Sequence, residues 1–242
     1  TSDSLEEAKS LALMMDSKNT ERQEVEARIH MEVEDILSKD TSYRDDKVLV
    51  ISGKDWHHGI IGIVASKVTE KYYKPCILLC QDGDMAVGSA RSIKGFDIFS
   101  ALYECRDYMT KFGGHQQAAG MSMEVAKIAL LRDKINKIAN YELNQEDLVE
   151  VIKVEYEIDQ ASLDLDLVDN LHILEPFGIK NPTPYFMMRN CLLKRLMPIG
   201  RDKNHLKLLV EKDRDFDVIG SEMCIRDRIP THLTIGRVSN CY

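Results

Sequence analysis

Residues 48–80, VLVISGKDWHHGIIGIVASKVTEKYYKPCILLC, decide the fold. Val48–Ser52 is a continuous apolar run of the kind found in a buried strand, and GKDWHHG is a loop. Ile60–Tyr73 reads as a helix, after which Pro75 opens a second strand, Cys76–Cys80. Strand, helix and strand in that order predict an α/β domain. Outward from this unit the alternation continues. Met85–Arg91 is a strand, and Asp97 caps a helix running from Ile98 to about Met109. A glycine-rich turn at Phe112, Gly113 and Gly114 leads to Met121–Met123 and a helix from Val125 to about Tyr141. The domain occupies 47–143 and is consistent with a three-layer sandwich.

Upstream, Ser4 to about Leu37 reads as one long helix. Ser4 and Glu7 form a capping box, and Leu5, Ala8, Leu11, Ala12, Met15, Val25, Ile29, Val33 and Ile36 recur at three and four. At about 1.5 Å per residue it spans on the order of 50 Å. That length suits a strut between two bodies at 1–46, although a helix lying along its own domain fits the periodicity equally well. Downstream of the polar hinge Asn144–Asp147, Val151–Ile158 alternates, a short helix falls near Leu167–Leu174, and strands come near Tyr185–Arg195 and Leu206–Val210. Short strands broken by turns predict a small β-barrel over 148–220.

The 242 residues exceed one average domain and fall short of three. With 44% hydrophobic and 30% charged residues the composition is that of a globular protein, and no apolar run reaches the length a bilayer demands, so membrane-spanning and disordered classes drop out. TSDSLEEAKS has neither a basic nor an apolar signal region, so a cytoplasmic location and no membrane partner are expected. The 6 cysteines are too scattered for a disulfide scaffold and are read as thiols, Cys76 and Cys80 as small buried hydrophobes rather than half a zinc site.

The net charge of −8 is unevenly placed. Residues 1–46 carry 6 basic and 13 acidic side chains, 47–140 carry 13 and 9, 141–188 carry 2 and 11, and 189–207 carry 6 and 1. Two basic zones therefore lie between acidic ones, which permits phosphate contacts from the former.

Three glycine-containing loops fall at strand or helix ends, where backbone amides can face an anion. In the first, Trp56-His57-His58-Gly59-Ile60-Ile61-Gly62, which opens a helix, adjacent histidines point apart and cannot chelate one metal; packing of Trp56 and capping by one histidine explain the loop as well. The second, Gly88-Ser89-Ala90-Arg91-Ser92, offers hydroxyls and a guanidinium for a phosphate, or is simply surface. The third is Gly113-Gly114-His115-Gln116-Gln117-Ala118-Ala119-Gly120, where two glycines allow close backbone approach and His115 adds an imidazole. A tight turn explains its first two glycines but not the histidine, the paired glutamines or the three small residues beyond them. No Walker loop, GxSxG or Cys-His nucleophile pair is present, nor the acid and histidine cluster of a two-metal phosphodiesterase.

In the order WHHGIIGIVASKVTEKYYKPCILL, GSARSIKGFDIFSAL and FGGHQQAAGM, the chain closely resembles the DHH-associated domain of the RecJ family, single-strand-specific DNA exonucleases of the DHH superfamily. SKNTERQEVEARI is similar to that family's connecting helix, and LEPFGIKNPTPYFMMRN with HLKLLV to its OB-fold domain. The resemblance implies 5′→3′ hydrolysis of single-stranded DNA in repair and recombination. It also implies Mn²⁺ or Mg²⁺ held by a separate DHH domain, so that no metal ligand and no catalytic residue is expected in this chain, which alone would be inactive. Ser89, Arg91 and Ser92 would then bind the terminal phosphate, Gly113, Gly114 and His115 would face the metal site, and Trp56, His57 and His58 would line the same cleft. Arg189, Lys194, Arg195, Lys203 and Lys207 would track the strand's backbone. A helicase or a single-strand-binding protein is a further candidate partner.

Ser221-Glu222-Met223-Cys224-Ile225-Arg226-Asp227-Arg228 looks like sequencing-adapter read-through, so 221–242 is expected to be non-native. Two other functions stay open: a DHH-family phosphodiesterase of short oligonucleotides or cyclic dinucleotides, which would lack the segment 151–220, and a stand-alone single-strand-binding module.

Overall fold

A computed structural model describes residues 4–178, 180–200 and 205–220. The chain divides into two compact units, 1–150 and 151–242. Lys203 and the segment 221–242 lie outside the described residues.

The first unit opens with helix α1, Leu5–Lys39, whose N-cap Ser4 accepts from the Glu7 amide. Strand β1 (Leu49–Lys54), helix α2 (Ile61–Tyr72) and strand β2 (Cys76–Asp82) form the expected crossover unit, with β1 and β2 parallel. Then come β3 (Met85–Arg91), α3 (Ile98–Glu104), β4 (Met109–His115), β5 (Ala118–Glu124) and α4 (Ile128–Glu142). The sheet order is β1-β2-β3-β5-β4, with every pair after the first antiparallel.

Side chains alternate across the sheet, and the two faces are covered differently. Ile77, Leu79, Ala86, Ala90, Ala119, Met121 and Met123 face α3 and α4 and form one core with Ile98, Leu102, Leu131 and Ile135. On the other face Leu49, Ile51, Cys76 and Leu78 are covered by Ile61, Val64, Ala65 and Val68 of α2, with Ile29 and Val33 of α1 behind them. Each such fully buried aliphatic contributes about 1.5–3 kcal/mol of transfer free energy. Helix α2 lies over β2 and β3 and reaches no farther, so Val87, Lys111, Gly113, His115 and Gly120 stay exposed. The sandwich has three layers over β1–β3 and two over β5 and β4.

Polar contacts seat α1 on α2. Buried Glu26 pairs with Lys67 at 2.6 Å and with Arg22, and Glu34 binds Lys71 and the Tyr72 hydroxyl, each at 2.8 Å. From Leu5 to Glu21 the same helix is exposed throughout.

Two elements differ from expectation. The helix capped by Asp97 stops at Glu104, and the chain then turns into β4; Gly113 and Gly114 lie inside that strand, with the reversal at Gln116 and Gln117. A Cβ on Gly114 would stand 2.3 Å from the Ala118 carbonyl oxygen, so this glycine serves strand approach rather than chain reversal.

The second unit is a β domain. Tyr156–Glu157 (β6) pairs parallel with Phe186–Met187 (β7), and helix α5, Leu165–Leu171, lies between them in sequence. Leu192–Ile199 (β8), His205–Glu211 (β9) and Asp215–Gly220 (β10) form an antiparallel sheet in the order β10-β9-β8. The alternating run expected over Val151–Ile158 pairs only at its end. Buried Gln160 ties the turn before β10, donating to the Arg214 carbonyl and accepting from the Asp213 and Arg214 amides.

Candidate functional site

The half-covered sheet face carries Ser89, Arg91, Gly113 and His115 of the residues that the sequence marks as candidates. On β3, Ser89 and Arg91 are two residues apart and share that face. Across β5 the register pairs Arg91 with Ala118 and Ala118 with His115, and pairs Ser89 with Gly120 and Gly120 with Gly113. Two rows, Arg91–Ala118–His115 and Ser89–Gly120–Gly113, therefore lie side by side on one surface floored by small residues.

Arg91 is half-buried at the rim where α2 ends. Its Nε donates to Ser66 Oγ of α2 at 3.1 Å, and its Nη1 donates to Ser89 Oγ at 3.0 Å and to the Ala90 carbonyl at 2.7 Å. A guanidinium has five N–H groups; these contacts use three and leave the two on Nη2. Among the described residues no carboxylate pairs with Arg91, although the chain is rich in acids. A partly desolvated guanidinium held by two hydroxyls and a carbonyl, with two donors left over, has the chemistry to accept an external anion.

The glycines sort into two kinds. A Cβ on Gly62, in the first turn of α2, would meet Arg91 Nη2 at 2.9 Å and Ser89 Oγ at 3.0 Å, so Gly62 lets the helix close over the guanidinium. On the open face a Cβ at Gly113 would meet nothing within 4 Å, and one at Gly120 only the Gly88 carbonyl at 3.9 Å. Packing does not require glycine at Gly113; the room it leaves is room for something outside the chain.

His115 is exposed, and its Nδ1 accepts from the Gln117 amide at 3.3 Å, which leaves Nε2 to carry the proton of the neutral ring. The hairpin tip is moored to the loop after β3: Ser92 N donates to the Gln117 carbonyl, and Ile98 N to that of Gln116. Any residue could supply these carbonyls; the Gln117 side chain adds one bond of its own, donating from Nε2 to the Ile93 carbonyl at 3.4 Å. Ser92 serves the same loop, its hydroxyl donating to the Phe96 carbonyl at 2.8 Å; its proton is committed there, unlike the expected phosphate contact.

The Trp56-His57-His58 loop is split. Trp56 is 4% exposed, packs in the core beneath α1, and donates from Nε1 to Glu32 at 2.7 Å. It is a structural residue and does not line a cleft; the reason is α1, whose acidic face offers its indole a partner. His57 and His58 stack in solvent with ring centroids 5.1 Å apart, His57 Nδ1 accepting from the Gly59 amide. They lead into the turn carrying Gly62.

Among the described residues the thiols offer no activated nucleophile. Burial pushes Cys76 and Cys80 up, and Cys105 up to about 11. Among the described residues no group of three His, Cys, Asp or Glu is placed to hold a metal ion. The described residues do not fit a divalent cation.

In the β domain three of the four described candidate cations are paired with acids. Lys194 is bound by Asp215 at 2.7 Å and Glu211 at 3.0 Å, contacts that raise its pKa. Lys207 pairs with Asp217 at 2.8 Å, and Arg189 with Glu157 at 3.0 Å. The basic run of 189–207 meets its acids across the sheet, which a count along the chain does not register. Only Arg195, of the four described, is exposed without an acidic partner. Ser66 was not anticipated, and Gly62 was marked only as the last residue of the histidine loop that opens α2.

Comparison with known proteins gives this geometry a context. Residues 45–140 match the DHHA1 domain and residues 154–228 the RecJ OB domain. The chain is 34% identical to the single-stranded-DNA-specific exonuclease RecJ of Bacillus subtilis over 88% of its own length and 27% of the relative's. It thus spans about a quarter of that protein. The fold is similar to crystal structures of Thermus thermophilus RecJ in complex with Mn²⁺ (TM-score 0.75, 23% identity, 96% of this chain and 32% of that one). It is likewise similar to the complex with Mg²⁺ (TM-score 0.70, 25% identity, 86% and 31%). Two consecutive domain matches, in the order in which the two units fold, and an identity sustained along most of the chain assign this protein to the RecJ family, of which it carries the DHHA1 and OB domains.

Proposed function

We propose that this chain is the substrate-holding part of a metal-dependent, single-stranded-DNA-specific 5′→3′ exonuclease of repair and recombination. The observation that carries the reading is the Nη2 edge of Arg91, left with two donors and no acid beside an open glycine-floored face. Arg91, with Ser89 beside it, binds the terminal phosphate, and Gly113 lets the strand end approach the backbone, while Gly114 admits the neighbouring β-strand. His115 supplies an imidazole at the far side of the same face, with Nδ1 engaged by the Gln117 amide and Nε2 left for a ligand. His57 and His58 border the entrance. The hydrolytic ions, Mn²⁺ or Mg²⁺, are held by a separate DHH domain, so the present chain orients the end and does not cut it.

The β domain guides the trailing strand, with Arg195 and Lys203 making phosphate contacts and Arg189, Lys194 and Lys207 exchanging carboxylate partners for phosphates. A match to the RecJ OB domain over 154–228 favours this reading over a phosphodiesterase of small nucleotides, for which no such segment is expected. No helix among the described residues is long and apolar enough to cross a membrane. The enzyme works in the cytoplasm, and the proteins that fit its role are those that generate or coat single strands, a helicase or a single-strand-binding protein.

The test joins this chain to the DHH domain of a family member. The joined protein should degrade single-stranded DNA from the 5′ end with Mn²⁺, this chain alone should not, and Arg91→Ala should slow the reaction most on 5′-phosphorylated ends. An unchanged rate on those ends would overturn the assignment of Arg91.

A further inference from the structure

We infer that Ser66 is a positioning residue for Arg91, fixing the direction in which the guanidinium presents its free edge; this rests on the phosphate reading of Arg91. The tethers of Arg91 are of two kinds. Ser89 Oγ and the Ala90 carbonyl belong to β3 itself and move with the arginine. Ser66 Oγ, 3.1 Å from Nε, is the one hydrogen-bond tether from another element among the described residues. It sets the plane of the guanidinium relative to α2.

The hydroxyl of Ser66 is itself oriented. It donates to the Gly62 carbonyl at 3.1 Å, one turn back along α2, so its lone pairs face Nε. Gly62 thus enters twice: its carbonyl aims Ser66, and its missing side chain spares Nη2 a Cβ that would stand only 2.9 Å away. Helix α2 is in turn fixed by α1, because Lys67, the neighbour of Ser66, is paired with buried Glu26 at 2.6 Å. An arginine with no carboxylate partner has rotamer freedom to lose on binding; one tethered at Nε has lost part of it beforehand. Ser66 therefore confers selectivity for a strand that ends in phosphate over one that ends in hydroxyl.

The chain is tested for binding to one short single strand carrying either a 5′-phosphate or a 5′-hydroxyl, as wild type and as Ser66→Ala, Ser66→Thr and Arg91→Ala. Wild type should prefer the phosphate, and Arg91→Ala should abolish the preference. Ser66→Ala should cut it roughly three- to tenfold, the effect of one lost tether, with the affinity for the hydroxyl end and the thermal midpoint unchanged. Ser66→Thr, which keeps the hydroxyl, should restore it. Full preference in Ser66→Ala, alongside its loss in Arg91→Ala, would overturn the positioning role and leave the phosphate reading standing. A wild type without preference would overturn both.

Discussion

Arg91 and His115 stand on the same face of the sheet, two strands apart, each in register with Ala118 between them. At about 4.8 Å per strand step their backbones are roughly 10 Å apart. Their side chains thus flank a strip whose floor is Ala118, Gly120 and Gly113. Helix α2 ends the covered part of the sheet where this strip begins.

Because three of the five N–H groups of Arg91 are engaged in a fixed pattern, charge alone should not replace it. Arg91→Lys is expected to lower affinity for a 5′-phosphorylated strand by about 10- to 100-fold, nearly as much as Arg91→Ala, as lost charge-assisted bonds imply. Titration of the two variants by fluorescence anisotropy checks this.

Neighbouring glycines should respond differently. Gly114→Ala forces a Cβ to 2.3 Å from the Ala118 oxygen and should lower the thermal midpoint sharply. Gly113→Ala meets no protein atom, so its midpoint should hold while strand binding weakens. Calorimetry and binding on the same two samples separate the outcomes.

Glu26 predicts a pH dependence. Burial opposes its charge, but the hydrogen bonds from Lys67 and Arg22 prevail and hold its carboxyl below the usual range. A carboxylate lowered on folding stabilises the fold above its unfolded pKa of about 4.3 and loses that contribution as the pH falls through the folded value. The midpoint should drop between about pH 5 and pH 3. Glu26→Gln should cost about 1–2 kcal/mol at pH 7, since Lys67 remains in solvent, and should flatten this part of the curve.

Within the β domain, Lys194 is engaged by two acids and Arg195 by none among the described residues. Arg195→Ala should reduce the slope of log affinity against log salt by about one, and Lys194→Ala by clearly less. Equal slopes for the two variants would show that the ion pairs yield freely to phosphate.

What was legible in the sequence was periodic. The crossover unit of residues 48–80 and the long first helix derive from hydrophobic spacing, and the Ser89–Arg91 pair from its place at a strand end. Gly113 and Gly114 read as a turn because glycine pairs commonly make one, whereas here they admit a neighbouring strand and leave open space. Trp56 stayed open between packing, which the residues allowed, and the cleft that the resemblance implied, because the partner of its indole, Glu32, lies 24 positions away on another element. The same holds for the lysines of the β domain, neutralised by acids that only strand pairing brings close. Long-range polar pairing was the unreadable part, since no local spacing encodes it.

Central to this account is that the free edge of Arg91 receives the phosphate of a strand end. Nitrogen-detected NMR of the arginine side chains measures this directly, during addition of the same short strand with and without its 5′-phosphate. The account predicts that the Nη resonances of Arg91 shift and sharpen with the phosphorylated strand and stay in place with the hydroxyl strand. Identical responses to both, or none to either, would contradict it.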